Sequence, residues 1–223
     1  MSPNRADLVR QVRQHLETES SFGIFDVAKP FRQGASSPSK AEALKTLYEE
    51  NKNCRLCPLG AARTHFVFGE GNPEARLMFV GEAPGYDEDQ QGRPFVGAAG
   101  QLLTKIIQAM KLSREDVYIA NCLKCRPPGN RNPLPTELAT CDPMLRRQIE
   151  IIQPEILCTL GKFASHSVLN TEEPISRLRG RFIECDGIKI MPTFHPAYLL
   201  RNPGDKKLVW EDMQRIMREL RIS

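Results

Sequence analysis

Four short apolar runs, separated by stretches patterned as helices, constrain this chain more than any other feature. Arg76-Leu77-Met78-Phe79-Val80-Gly81 is apolar at consecutive positions and ends in glycine, as a strand buried on both faces does. Ala99, Leu102, Leu103, Ile106, Ile107 and Met110 follow at i, i+3, i+4 spacing, a helix facing a core. Val117-Tyr118-Ile119-Ala120 reads as a second strand, and residues 136–152 as a helix whose start Pro143 obscures. Residues 155–160, closed by Gly161, give a third strand, 162–169 a short helix, and 188–194 a fourth strand. Asp205 can cap a last helix that buries Val209, Met213, Ile216, Met217 and Leu220. Strands alternating with helices predict an α/β fold, a three-layer α/β/α sandwich around a central four-stranded parallel sheet. Ligands of such sheets bind at the carboxyl ends of the strands. Function is therefore expected in the segments 81–95, 121–132 and 195–204.

At roughly 100–200 residues per domain, 223 residues make one full domain with an appendage, or one large domain. Apolar residues at 40% and charged residues at 26% are ordinary globular usage and exclude wholesale disorder. Leu8, Val9, Val12 and Leu16 lie at helical spacing within 4–17, and Gly34-Ala35-Ser36-Ser37-Pro38-Ser39 reads as a linker. We therefore expect an N-terminal extension over 1–39 and a main domain over 40–223. Ser39 and Glu42 form a capping-box pattern ahead of Leu44, Leu47 and Tyr48, which face one way. No apolar run approaches the roughly 20 residues of a membrane span, and the N-terminus carries no signal-peptide apolar region. A cytoplasmic protein without a membrane partner is expected. Lys and Arg exceed Asp and Glu by 31 − 27 = +4, which permits an anionic partner without demanding one.

Seven scattered cysteines argue against a disulfide framework, which would leave one over. Cys54-Arg55-Leu56-Cys57 is a Cys-x-x-Cys pair, half of a metal or cluster site. Cys122 and Cys125 form a second such pair and on spacing alone are its natural mate, with Cys141 as competitor. Cys158 lies in an apolar strand run and reads as a small core hydrophobe; Cys185 has no partner at ligand spacing. Four thiolates suit zinc or an iron–sulfur cluster, and spacing alone favours zinc. The competing reading of the whole set is reduced core thiols.

The strand-end segments carry further candidates. Gly81-Glu82-Ala83-Pro84-Gly85 brings backbone close to a ligand and offers a carboxylate that can orient water, or is only a tight turn. It is not a P-loop, because no Gly-Lys-Ser/Thr follows. Gly92-Arg93-Pro94-Phe95-Val96-Gly97 holds an aromatic that serves as a stacking platform or as a core plug. Asn121 has the donors and acceptor to read a base edge. Lys124, Arg126 and Arg131 form a basic rim suited to phosphates, or a solvated loop. His195 ends the fourth strand, and Leu199 and Leu200 stand between Tyr198 and Arg201. Apolar side chains there either wedge into a base stack or pack under the last helix.

Taken in order, Gly-Glu-Ala-Pro-Gly at 81–85, Gly-Arg-Pro-Phe-Val-Gly at 92–97, Asn121, Lys124-Cys125-Arg126-Pro127-Pro128, Cys141 and His195-Pro196-Ala197-Tyr198-Leu199-Leu200-Arg201 closely resemble the family 4, iron–sulfur uracil-DNA glycosylases. The resemblance covers about residues 40–223. It implies a [4Fe-4S] cluster rather than zinc. It implies Cys54, Cys57, Cys125 and Cys141 as ligands, with Cys122 a bystander, against the pairing that spacing favours. The implied partner is uracil-containing DNA, single- or double-stranded, and the implied state a monomer.

The implied reaction breaks the N-glycosidic bond of a flipped uracil by hydrolysis, leaving an abasic site for base excision repair. Negative charge then grows on the leaving base and positive charge on the sugar. The resemblance assigns His195 as donor to uracil O2, helped by a backbone N–H of the 82–85 loop, and gives Gly81, Ala83 and Gly85 as substrate-binding residues. It assigns Glu82 to water or to the sugar cation, Phe95 to stacking, Asn121 to N3 and O4, and Glu88 to crowding out the thymine methyl. Lys124, Arg126, Arg131, Leu199, Leu200 and Arg201 are the implied DNA contacts. A branch that traps the sugar through a His on a basic inserted loop is disfavoured, since no Lys-Arg-Arg-Ile-His stretch follows Phe95. The presence of Glu82 argues against a sister family that lacks it. Two readings from other classes are a non-catalytic Cys₄ nucleic-acid-binding module and a small electron-transfer protein.

Overall fold

A strand that is apolar at every position must be covered on both sides, and the core shows what covers each side. The computed structural model of the protein describes residues 38–222. The predicted helix over 4–17 and the linker up to residue 37 lie outside the described residues; the compact unit that follows begins at Pro38. Helix α1 (Lys40–Asn51) opens on the expected capping box: Ser39 Oγ accepts the Glu42 N–H at 3.3 Å, and Glu42 Oε2 accepts the Ser39 N–H at 2.8 Å. A short turn of helix, α2 (Leu59–Ala62), precedes β1 (Glu70–Gly71) and β2 (Leu77–Gly81). Then come α3 (Tyr86–Gln91), α4 (Ala98–Ala109), β3 (Tyr118–Asn121), α5 (Pro135–Ile152), β4 (Ile156–Leu160) and α6 (Lys162–Leu169). The chain ends with α7 (Ile175–Leu178), β5 (Ile183–Cys185), β6 (Ile188–Thr193), α8 (Pro196–Arg201) and α9 (Lys206–Leu220).

The sheet has the order β1-β3-β2-β4-β6-β5. Its four central strands are parallel, as the alternation predicts. The sheet as a whole is six-stranded and mixed, which corrects the expectation of four strands. β1 and β5 add antiparallel edges of two and three residues, too short to leave a periodic signal. β5 and β6 form a hairpin through Asp186-Gly187, both at positive φ (50° and 77°), the turn such a dipeptide favours.

Alternate residues of β2 serve the two outer layers. Met78 and Val80 pack with Leu44 of α1, Leu145 and Ile149 of α5 and Val168 of α6. Leu77 and Phe79 pack with Leu103 and Ile107 of α4 and with Met213 and Ile216 of α9. Phe79 is fully buried, and its truncation to Ala is expected to cost about 3–5 kcal/mol. The connections leaving β2 and β4 go to opposite faces, through α4 and α6. A crevice therefore opens beyond their carboxyl ends, the place where such sheets bind ligands. Among the described residues no helix is long and apolar enough to cross a membrane.

Candidate active site

β2 and β3 end level, Gly81 pairing with Asn121. A Cβ on Gly81 would lie 2.4 Å from Asn121 Oδ1 and 2.4 Å from the Phe95 ring. Only glycine lets those two side chains converge there. Asn121 is buried, and its Oδ1 has no hydrogen-bond partner among the described residues. Leaving such a carbonyl unmatched costs about 1–3 kcal/mol, which a ligand N–H would recover. The cavity in front of it has a volume of about 510 Å³, and Glu82, Glu88, Phe95, Asn121 and His195 all line it.

His195 caps α8, and its Nδ1 accepts the Ala197 N–H at 3.1 Å. That bond leaves the ring proton on Nε2. Burial pushes the His195 pKa down to about 4, with Arg201 acting in the same direction and Glu88 against it. The imidazole is therefore neutral at pH 7 and a donor through Nε2. Its ring centroid lies 5.6 Å from that of Phe95 at 34°. Glu82 leaves β2 into the cavity, and burial alone raises its pKa to about 7. Glu88 accepts three main-chain N–H groups, from Gly85 at 3.0 Å, Val96 at 2.8 Å and Gly97 at 2.9 Å. It bolts the turn after β2 to the Phe95 loop.

Cys54, Cys57, Cys125 and Cys141 face a second cavity of about 330 Å³. Cys122 does not line it, being buried with its thiol pushed up to about 12 by that burial. Arg63 Nη1 donates to Cys125 Sγ at 3.1 Å, and Lys124 and Arg147 also border the cavity. Among the described residues no three Cys, His, Asp or Glu side chains converge at single-ion spacing.

Residues 68–214 match the family model described as the uracil DNA glycosylase superfamily. A type-4 uracil-DNA glycosylase of Thermotoga maritima is 46% identical over 79% of this chain and 94% of that protein. Type-4 uracil-DNA glycosylases of Sulfurisphaera tokodaii and Archaeoglobus fulgidus are 44% and 43% identical, over 82% and 78% of this chain and 86% and 92% of their own lengths. The chain belongs to the type-4 uracil-DNA glycosylase family. The α/β fold expected of that family is the one the chain adopts.

Of the residues that the sequence nominated for a glycosylase pocket, Ala83, Gly85, Arg131 and Arg201 also line the cavity, while Gly81 lies beneath it. Two nominations for DNA contact are corrected. Lys124 is fully buried; its Nζ donates to the Asn121 carbonyl at 2.7 Å and to Gln148 Oε1 at 2.6 Å. It cannot reach a phosphate and instead holds the main chain of the residue beside the pocket. Leu199 is only 1% exposed, packed in the core with Val209 and Met213, because 196–201 is helix α8 and not a loop. Leu200, on the other side of that helix, is 46% exposed. Arg126 lies over the Tyr86 ring at 5.1 Å and donates to Asn130 Oδ1, and Arg131 pairs with Glu137.

Sequence reasoning missed three residues in or around these two cavities. Tyr86 stands exposed on the cavity wall; its place in the strand-end segment was the available signal. Arg63 reaches Cys125 across 62 positions, and Arg114 reaches the Phe95 main chain. No local pattern announces either.

Proposed function

We propose that the chain is a monofunctional uracil-DNA glycosylase that flips uracil from DNA and hydrolyses its N-glycosidic bond. The observation that carries the reading is the orphaned Asn121 Oδ1 at the back of a cavity walled by Phe95 and a neutral His195. Uracil N3–H is the donor that Oδ1 lacks, and the Asn121 amide NH₂ is placed to give to O4. Cytosine presents the reversed pair, leaving buried groups unmatched, which is a strong ground for rejection. Glu88, fixed by its three N–H contacts, supplies the steric wall against a C5 methyl.

The N1–C1′ bond breaks with its electron pair going to the base. His195 Nε2–H donates to the growing charge on O2. Pro84 has no N–H and that of Gly85 is taken by Glu88, so the main-chain donor falls to Glu82 or Ala83. The Glu82 carboxylate faces the sugar cation and orients the water that adds to C1′. Arg126, Arg131, Leu200 and Arg201 carry the DNA contact, and Tyr86 joins them.

Cys54, Cys57, Cys125 and Cys141 would hold the [4Fe-4S] cluster. Four thiols around one roomy cavity, with Arg63, Lys124 and Arg147 supplying positive charge, fit a polynuclear anionic cluster better than one zinc ion. Bound there, it would supply structure, with Cys54 and Cys57 tied to Cys125 and to Cys141 of α5. The protein acts as a cytoplasmic monomer through its 40–223 domain. The test is purified protein mixed with a uracil-containing oligonucleotide, scored for abasic sites and free uracil, with the visible spectrum of the same sample. His195→Ala should lose at least about a hundredfold in rate. No uracil release by the parental protein would overturn the proposal.

A further inference from the structure

Two non-glycine residues lining the pocket have positive φ, Asn130 and Phe95. Asparagine tolerates that conformation, whereas for a bulky phenylalanine it is strained. The Phe95 φ is +53°, a left-handed conformation costly for a residue with a Cβ. The surroundings must impose it, and two contacts do. On one side Gly100 of α4 lies so close that a Cβ there would sit 1.9 Å from the Phe95 carbonyl carbon. On the other side Arg114, from the loop before β3, reaches across with its guanidinium. Its Nη1 donates to the Phe95 carbonyl at 2.9 Å and its Nη2 to the Pro94 carbonyl at 2.7 Å. Glu70 of β1 holds the same guanidinium, accepting from Nε at 3.1 Å. Arg93, next to Pro94, donates to the other Glu70 oxygen at 2.7 Å. None of Arg114, Glu70 and Arg93 lines the cavity.

We propose that Arg114, anchored by Glu70, is a positioning residue for uracil: it grips the two carbonyls that fix Phe95 in its left-handed turn and so sets the plane on which the base stacks. The proposal rests on the reading of Phe95 as the stacking platform. The guanidinium meets two carbonyls and a carboxylate from three nitrogens held in one plane, a spacing that the single nitrogen of a lysine cannot reproduce. The short edge strand β1 gains a purpose from this arrangement, since it delivers Glu70 to the guanidinium.

The test is inhibition by free uracil, with kcat and KM on a uracil oligonucleotide, for Arg114→Lys, Glu70→Gln, Phe95→Ala and the double variant Phe95→Ala/Arg114→Lys. Arg114→Lys should weaken uracil inhibition about tenfold, on the scale of releasing one strained residue. It should lower kcat/KM alike and leave affinity for uracil-free DNA unchanged. Glu70→Gln should move the same readouts in the same direction, and it carries the test if Arg114→Lys fails to fold. In the Phe95→Ala background Arg114→Lys should add nothing, because Arg114 acts only through that ring. Parental uracil inhibition in Arg114→Lys and Glu70→Gln, or losses that multiply in the double variant, would overturn the proposal. Parental behaviour of Phe95→Ala alone would overturn the platform reading, and the role of Arg114 with it.

Discussion

Glu82 offers a measurement in which the site and the fold oppose each other. Burial raises its pKa from 4.5 to about 7, and among the described residues no charge offsets that. At about 1.4 kcal/mol per pH unit, ionising it in the folded protein at pH 8 costs at most about 3–4 kcal/mol. The group is only half-buried, so solvent screening leaves roughly half of that, about 2 kcal/mol. The sign follows from proton counts. Between pH 4.5 and 7 the folded state holds more protons on this group than the unfolded state, so stability falls as pH rises through that window. Below pH 4.5 both states are protonated and the cost vanishes. Glu82→Gln removes the ionisation and keeps the shape.

The variant should therefore melt roughly 4–8 °C above the parent at pH 8, at about 2–4 °C per kcal/mol for a chain of this size. At pH 5 the two should differ by no more than about 2 °C. The assay is a thermal melt of parent and variant side by side across that range. The same substitution should lower kcat/KM by about a hundredfold or more. It should also abolish the rise of parental activity through about pH 7, since only the carboxylate form faces the sugar cation. A variant less stable than the parent at pH 8, or a stability difference that does not change with pH, would refute the reasoning about desolvation.

The cysteines, the basic rim and the two leucines give further checks. Cys125→Ala and Cys141→Ala should lose iron and visible absorbance, while Cys122→Ala, whose thiol does not face the cavity, should keep both. Arg126→Ala and Arg131→Ala should each reduce the salt dependence of DNA binding by about one counterion. Lys124→Met should leave that slope unchanged, because the buried ammonium cannot meet a phosphate. Leu199→Ala should destabilise the fold by about 2–5 kcal/mol; Leu200→Ala should leave the melt unchanged and slow excision from duplex DNA.

The α/β alternation was legible because it rests on local periodicity, and the pocket residues were legible because strand ends in such folds carry the chemistry. Two strand-end residues, Lys124 and Leu199, are buried where the segments around them look open to solvent. Lys124 stands among Arg126, Pro127 and Pro128 and looks like part of a basic rim. Its burial depends on Gln148, 24 positions away on α5, and no local pattern reports that partner. Leu199 is a different case, since the signal was present. Pro196 stands at the first position of a helix and His195 at its cap, the arrangement in which proline is favoured. A helix there turns Leu199 and Leu200 to opposite sides. The choice of cysteine ligands was not legible from spacing either: Cys122 and Cys125 are three apart, yet only Cys125 turns to the cavity that holds Cys54, Cys57 and Cys141.

The polar groups of the pocket share one physical property that an inert fold would not keep. Asn121 carries a buried acceptor with no donor among the described residues. Glu82 is held where its charge is poorly solvated, and His195 where it cannot become charged at neutral pH. The first two are a cost to the fold, and the third, nearly free at pH 7, keeps the imidazole a neutral donor. On the proposed assignment each answers one part of a dissociating uridine: an N3–H would meet the asparagine, a cationic sugar the glutamate, and an anionic O2 the neutral imidazole donor. The first match is available to the ground state and serves selection. The other two appear only as the glycosidic bond opens, so their contribution goes to rate. Replacing Asn121 should accordingly raise KM and relax discrimination, whereas replacing Glu82 or His195 should fall mainly on kcat.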